Sequence, residues 1–270
     1  MHWEVTQMGK QKIDAAFSAV LERGDKAFVP YIMAGDGGLD KLHEQLEFLQ
    51  NAGATAVELG IAFSDPVADG PTIQEAGIRA LRDGVSLRGV LDKLKETKQE
   101  RTLPIVLMTY MNPIHAIGIE AFAKVCDEAG VDGLIIPDLP LEEEEIITPS
   151  LKKFDIALIR LAALTSPEER INEIAERTEG FLYAVTVTGT TGVRTHFEEN
   201  VGDYLSKLTE KCKVPVLAGF GVSTPEHVVD LTEFCDGVIV GSRIVDLLHK
   251  DDREPIKELI ASAQLSKIKS

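Results

Sequence analysis

The chain has 270 residues, 44% of them apolar, enough to build a sizeable core in one large domain or two small ones. Its formal charge of −16 argues against nucleic acid or an anionic membrane as a partner, while leaving room for a small anion held by backbone N–H groups at a helix start. No apolar run approaches the roughly 20 residues needed to span a bilayer, and Met1-His2-Trp3-Glu4-Val5-Thr6-Gln7 lacks a signal-peptide layout, so a soluble cytoplasmic protein is expected.

Residues 9–23 read as an amphipathic helix. Lys26–Met33 is the first expected strand, and Leu39–Asn51 a helix with Leu39, Leu42, Leu46 and Leu49 on one face, stopped by Gly53. Strand Ala54–Leu59 leads through a loop marked by Gly60, Pro66, Gly70 and Pro71 to a helical region and a second helix near Ser86–Lys98. Strand Pro104–Thr109 precedes helix Ile119–Ala129, strand Gly133–Ile136 precedes helix Glu142–Lys153, and strand Ile156–Leu161 precedes helix Pro167–Arg177. Strand Phe181–Thr186 runs into a Gly- and Thr-rich loop and helix Val201–Lys211. Strand Val214–Ala218 precedes helix Pro225–Phe234. Strand Gly237–Val240 is followed by a short helix near Arg243–Lys250 and a terminal helix Glu254–Leu265.

These are eight strand–helix units, and strands such as Leu-Ile-Ile and Val-Ile-Val are continuous apolar runs, as in a parallel sheet covered by helices. Eight units in about 250 residues match a (β/α)8 TIM barrel, here with an extra N-terminal helix and a short extra helix after strand 8. A doubly wound open sheet is the alternative, but its glycine fingerprint follows the first strand; here the Gly-rich loops follow strands 6, 7 and 8. No linker or low-complexity segment divides the chain, so residues 1–270 are expected to form a single domain.

Strand alternation puts Ala54, Ala56 and Glu58 on one side and Thr55, Val57 and Leu59 on the other. A carboxylate at a strand end beside small residues is costly unless solvated, paired or used. Asp69 closes the following loop eleven residues later, and two carboxylates there can divide acid and base work if their environments differ. Asp65 and Asp69 are equally read as turn formers before Pro and Gly, and Glu58 as a solvated strand end. The loops Thr188-Gly189-Thr190-Thr191-Gly192, Gly219-Phe220-Gly221 and Gly241-Ser242 suit a phosphate held by backbone amides and the start of the short helix; alone, each is a tight turn. The polar stretch 188–200, with Arg194, is long enough for a lid. Tyr31 and Tyr183 are candidates to line a pocket for a flat ring, and Asp138 to cap the helix that follows it. Cys126, Cys212 and Cys235 have no CxxC spacing and the six histidines no metal-ligand spacing, so neither disulfide nor metal is expected.

The stretch Glu58-Leu59-Gly60-Ile61-Ala62-Phe63-Ser64-Asp65-Pro66-Val67-Ala68-Asp69-Gly70-Pro71 closely resembles the signature of the tryptophan synthase alpha subunit family. Supporting matches are Phe28-Val29-Pro30-Tyr31, Pro137-Asp138-Leu139-Pro140, Thr191-Gly192, Gly219-Phe220-Gly221 and Gly237-Val238-Ile239-Val240-Gly241-Ser242. The resemblance implies a lyase that cleaves indole-3-glycerol phosphate to indole and glyceraldehyde 3-phosphate with no cofactor of its own. Glu58 would shuttle the proton and need a raised pKa; Asp69 would stay ionised and accept the indole N–H. Tyr31, Met108 and Ile135 would wall the indole pocket, Tyr183 orient the carboxylate and Thr191 reach Asp69. Gly192, Gly221, Gly241 and Ser242 would hold the phosphate. The resemblance also implies a pyridoxal-phosphate beta subunit partner in an α2β2 complex, meeting Tyr110-Met111-Asn112-Pro113 and the loop before Asp65. Ala62 stands where the family commonly has Pro, and the run before Thr191-Gly192 differs from the usual one. Two other readings are an isomerase or synthase for another phosphorylated sugar on a similar barrel, and a non-catalytic activating subunit.

Overall fold

A computed structural model describes residues 9–186, 194–219 and 221–264, with backbone only for 194–200. In chain order it contains α1 (Lys10–Leu21), β1 (Ala27–Met33), α2 (Leu42–Ala52), β2 (Val57–Gly60), α3 (Pro71–Arg82), α4 (Leu87–Glu96), β3 (Ile105–Met108), α5 (Met111–Ile117), α6 (Ile119–Ala129) and β4 (Gly133–Ile135). Then come α7 (Thr148–Lys153), β5 (Ala157–Leu158), β6 (Arg160–Ala163), α8 (Glu168–Arg177), β7 (Leu182–Val185), α9 (Arg194–Lys211), β8 (Val216–Gly219), α10 (Pro225–Thr232), β9 (Gly237–Val240), α11 (Ser242–His249) and α12 (Glu254–Ser262).

Every strand pairing is parallel, in the order β5-β4-β3-β2-β1-β9-β8-β7-β6. The two outermost segments are consecutive in sequence, with only Ile159 between them, so together they take the place of one strand and the sheet comes round on itself. This is the (β/α)8 TIM barrel expected from the alternating units, with α1 before the first strand and α11 as the short extra helix after the last. The single expected fifth strand is instead two pieces. Ile159 is buried among the inward-facing side chains, yet Arg160 turns out to Glu144 at 2.8 Å.

Strand alternation separates two apolar layers. One face of the strands, with Ala27, Val29, Ala56, Val106, Ile159, Phe181, Leu217 and Ile239, fills the barrel interior. Ile13 and Phe17 of α1 join that cluster and are 0% and 1% exposed, so the extra helix closes the N-terminal end. Phe17 stacks on Phe181 with ring centroids 5.3 Å apart. Burying such a pair contributes about 1.5–3 kcal/mol per side chain, which fixes the floor of the cylinder. The opposite face of the strands packs on the helices, for example Val57, Leu59, Ile105 and Leu107 against Leu46, Leu49, Val90 and Leu94. A plugged floor leaves the C-terminal ends of the strands as the open end.

Three local differences from the sequence reading have physical causes. α5 is an additional helix between the expected strand and the helix from Ile119, and Pro113 is tolerated in its first turn, where a missing N–H has no acceptor to lose. Asp138 does not cap the helix that follows it: its carboxylate accepts the N–H of Met111 at 3.0 Å and so caps α5 from the neighbouring loop. α9 starts at Arg194 rather than Val201, because Arg194 to Asn200 carries one large apolar residue and so shows no periodicity. Residues 194–200 of the expected loop are therefore helical, and 188–193, with Thr191 and Gly192, lie outside the described residues.

Candidate active site

Glu58 sits on β2 two residues beyond Ala56, so it shares the inward face, and its register partner on β1 is Tyr31. It is 1% exposed, and its Oε2 has no hydrogen-bond partner among the described residues. A buried carboxyl with an unpaired oxygen resists ionising. Burial first, and the nearby Asp69 second, push Glu58 up to about 8. At neutral pH it is mainly protonated, a carboxylic acid able to give a proton.

Asp69 is placed by its loop. Its backbone N–H donates to Pro66 O at 3.1 Å, its carbonyl accepts from the Gln74 side chain at 2.9 Å, and Pro71 starts α3 two residues on. The Tyr110 hydroxyl accepts the N–H of Ala68 at 3.1 Å and donates to the Asp69 carboxylate. Tyr110 is itself fixed, 2% exposed and stacked on Phe63 at 5.2 Å. Burial raises Asp69 to about 6, and the Tyr110 hydrogen bond restrains that rise. The sequence reading left Asp69 fully ionised. It is ionised at pH 7, but by a margin of only about one pH unit.

Both carboxyls line one cavity of about 250 Å³ at the C-terminal ends of the strands. Tyr31, Met108, Tyr183, Gly221, Gly241 and Ser242 line it too. Ile135 does not. It is fully buried in the interior cluster, and Met108 and Leu161, which pack against that cluster, reach the cavity in its place. Asp65 is exposed, takes a 2.5 Å hydrogen bond from Ser64 and does not line the cavity, as a turn residue would.

Two tyrosines share one packing device. Tyr31 lies over Gly60 of β2 and Tyr183 over Gly219 of β8, and a Cβ at either glycine would collide with the ring. Each ring thus lies against a neighbouring strand where only Gly admits it. Burial, with the carboxyls Glu58 and Asp69, drives both phenols up and keeps them neutral.

The far wall is built from loop and helix starts. Gly221 has a φ of 82°, a backbone state that L side chains rarely adopt, and lets the loop after β8 turn into the cavity. Gly241 precedes α11, whose first N–H groups have no intrahelical acceptor, and Ser242 adds a hydroxyl. Such a helix start attracts an anion. Tyr31, Met33, Ile73 and Val245 pack together under this wall, and Asp36 grips Arg79 of α3 through two 2.7 Å hydrogen bonds. Among the described residues no group of His, Cys, Asp or Glu is placed to hold a metal, and no helix is long and apolar enough to cross a membrane.

A model of the family described as tryptophan synthase alpha chain matches residues 17–269. This chain belongs to the tryptophan synthase alpha chain family. Its curated relatives include the tryptophan synthase alpha chain of Bacillus cereus, 56% identical over 253 residues, covering 94% of this chain and 96% of that protein. The corresponding chain of Oceanobacillus iheyensis is 54% identical over 253 residues, covering 94% and 97%. Among solved structures, tryptophan synthase subunit alpha from Legionella pneumophila superposes with a TM-score of 0.84 at 31% identity, covering 96% of this chain and 99% of that one. A chain of Mycobacterium tuberculosis tryptophan synthase superposes with a TM-score of 0.85 at 28% identity, covering 96% and 100%. The sequence reading assigned Tyr110 only to the partner contact and did not assign Gln74, Ile73, Leu161, Ser223 or Arg243 to the site. Tyr110 alone carried a signal, as a polar aromatic at a strand end in Tyr-Met-Asn-Pro.

Proposed function

We propose that the protein is a carbon–carbon lyase that cleaves indole-3-glycerol phosphate to indole and glyceraldehyde 3-phosphate. The observation that carries this reading is Glu58: a buried carboxyl at a strand end, its Oε2 without a partner among the described residues, raised to about 8, in the same cavity as Asp69 and the anion-binding wall. The tryptophan synthase alpha chain family supports it.

The phosphate sits on the backbone amides at Gly221 and Gly241 and on the Ser242 hydroxyl, with Thr191 and Gly192 as further partners by family resemblance. The indole ring lies between the tyrosines and Met108. Protonated Glu58 delivers its proton to the ring carbon that bears the glycerol chain. The ring nitrogen becomes positive, and Asp69 accepts its N–H and stabilises that charge. The hydroxyl on the chain carbon next to the ring then loses its proton to Glu58. The electrons of the O–H bond form the aldehyde C=O, and those of the carbon–carbon bond return to the ring. One proton enters and one leaves, and Glu58 ends as it began. Tyr183 holds the Glu58 carboxyl in place, and Tyr110 holds Asp69.

The chain acts as one domain in the cytoplasm, without a cofactor of its own, as the alpha partner of an α2β2 complex whose beta subunit carries pyridoxal phosphate. The partner contact is expected at Tyr110-Met111-Asn112-Pro113 and the loop before Asp65, and Val67, just beyond Asp65, is 82% exposed. Purified protein incubated with indole-3-glycerol phosphate should release indole, faster when a beta subunit is added. No indole in either mixture would overturn the lyase reading and leave a non-catalytic subunit.

A further inference from the structure

A cation in the first turn of a helix opposes the helix dipole, whose positive end lies there. Arg243 is the second residue of α11. It lines the cavity beside Gly241 and Ser242, and among the described residues that line it Arg243 is the only cation, facing two carboxyls. Its tie within the chain is loose. Arg243 Nη1 stands 3.7 Å from Asp246 Oδ2, beyond hydrogen-bond distance, while Lys250 Nζ holds the Asp246 carboxylate at 2.8 Å. Asp246 is held low by Lys250 first, with Arg243 a lesser cause. Arg243 therefore leaves Asp246 without orphaning it, and with a side chain 39% exposed it has room to move.

We propose that Arg243 supplies the formal positive charge of the phosphate site, its guanidinium swinging from Asp246 onto the phosphate seated at the start of α11. This rests on the reading that the substrate is a phosphomonoester. Backbone amides orient a phosphate but carry no net charge, whereas a guanidinium adds two parallel donors and offsets the nearby Asp69 carboxylate. A residue unfavourable to its own helix becomes favourable once a dianion occupies that end.

The test compares Arg243→Gln and Arg243→Lys with the parent at constant ionic strength. For Arg243→Gln, KM for indole-3-glycerol phosphate should rise about fivefold to tenfold with kcat within about twofold, the pattern of lost binding equal in ground and transition states. The thermal shift produced by inorganic phosphate should shrink in step. Arg243→Lys should restore most of both, and the unliganded Arg243→Gln protein should melt at or above the parent, since the dipole conflict is removed. Unchanged KM and an unchanged phosphate shift, or a fall in kcat at constant KM, would overturn the assignment. If the parent releases no indole, the lyase reading fails, while the phosphate-induced shift still decides the role of Arg243.

Discussion

Replacing Glu58 with Gln should abolish turnover and make the protein more stable. The carboxyl is 1% exposed and moves from 4.5 to about 8 on folding. Its ionised form is then about 5 kcal/mol less favourable in the fold than in the unfolded chain. The unfolded chain releases this proton near 4.5 and the folded one holds it until about 8, so between those values the folded state binds more protons. Stability conferred at low pH is thus lost as pH rises, by about 1.4 kcal/mol per pH unit. At pH 7 the parent forgoes about 3 kcal/mol relative to a neutral side chain of the same shape. Glu58→Gln should gain about that amount, or roughly 5–10 °C in melting temperature for a chain of this size. Urea unfolding at pH 6 and pH 8 is the assay: the gap between variant and parent should widen by about 2 kcal/mol over that range. A gap independent of pH, or a variant less stable than the parent at pH 8, would show that Glu58 is not a buried carboxyl kept neutral by the fold.

Asp69→Asn should lower kcat by at least ~100-fold through lost charge stabilisation, with a change below about twofold marking Asp69 as a turn residue only. The alkaline limb of kcat/KM should fall near pH 8, as the free enzyme's Glu58 loses its proton, and a flat profile from pH 7 to 9 would contradict that assignment. Tyr110→Phe should keep the fold but cost about tenfold in kcat, because Asp69 loses the donor that orients it and lowers its pKa; unchanged kcat would make Tyr110 a wall residue only. Gly221→Asp should abolish protection by inorganic phosphate through repulsion and a strained positive φ, and undiminished protection would place the phosphate elsewhere.

The barrel was readable because each strand is an apolar run and each helix a periodic one, a local signal. Glu58 was readable for the same reason: two-residue alternation carries it to the inward face behind Ala56. What escaped were contacts between distant parts of the chain. Tyr110 reaches Ala68 across 42 residues, and no periodicity encodes that. Asp138 was assigned to the nearer helix because sequence offers only neighbours, whereas the barrel brings the start of α5 to it. Ile135 was expected as a pocket wall through the family resemblance; it does pair with Met108 on the next strand, yet register gives height and face, not whether a side chain reaches open space. Arg243 went unnoticed because a lone charge at a helix start gains meaning only once the cavity beneath it exists.

The most direct test of the central claim separates binding from cleavage at Glu58. Wild-type and Glu58→Gln proteins are mixed with indole-3-glycerol phosphate, bound ligand is measured by calorimetry, and released indole is measured in the same samples. Affinity should be comparable in both, with indole released by the wild type and none by the variant. Indole released by the variant at the wild-type rate would mean that the proton comes from another group.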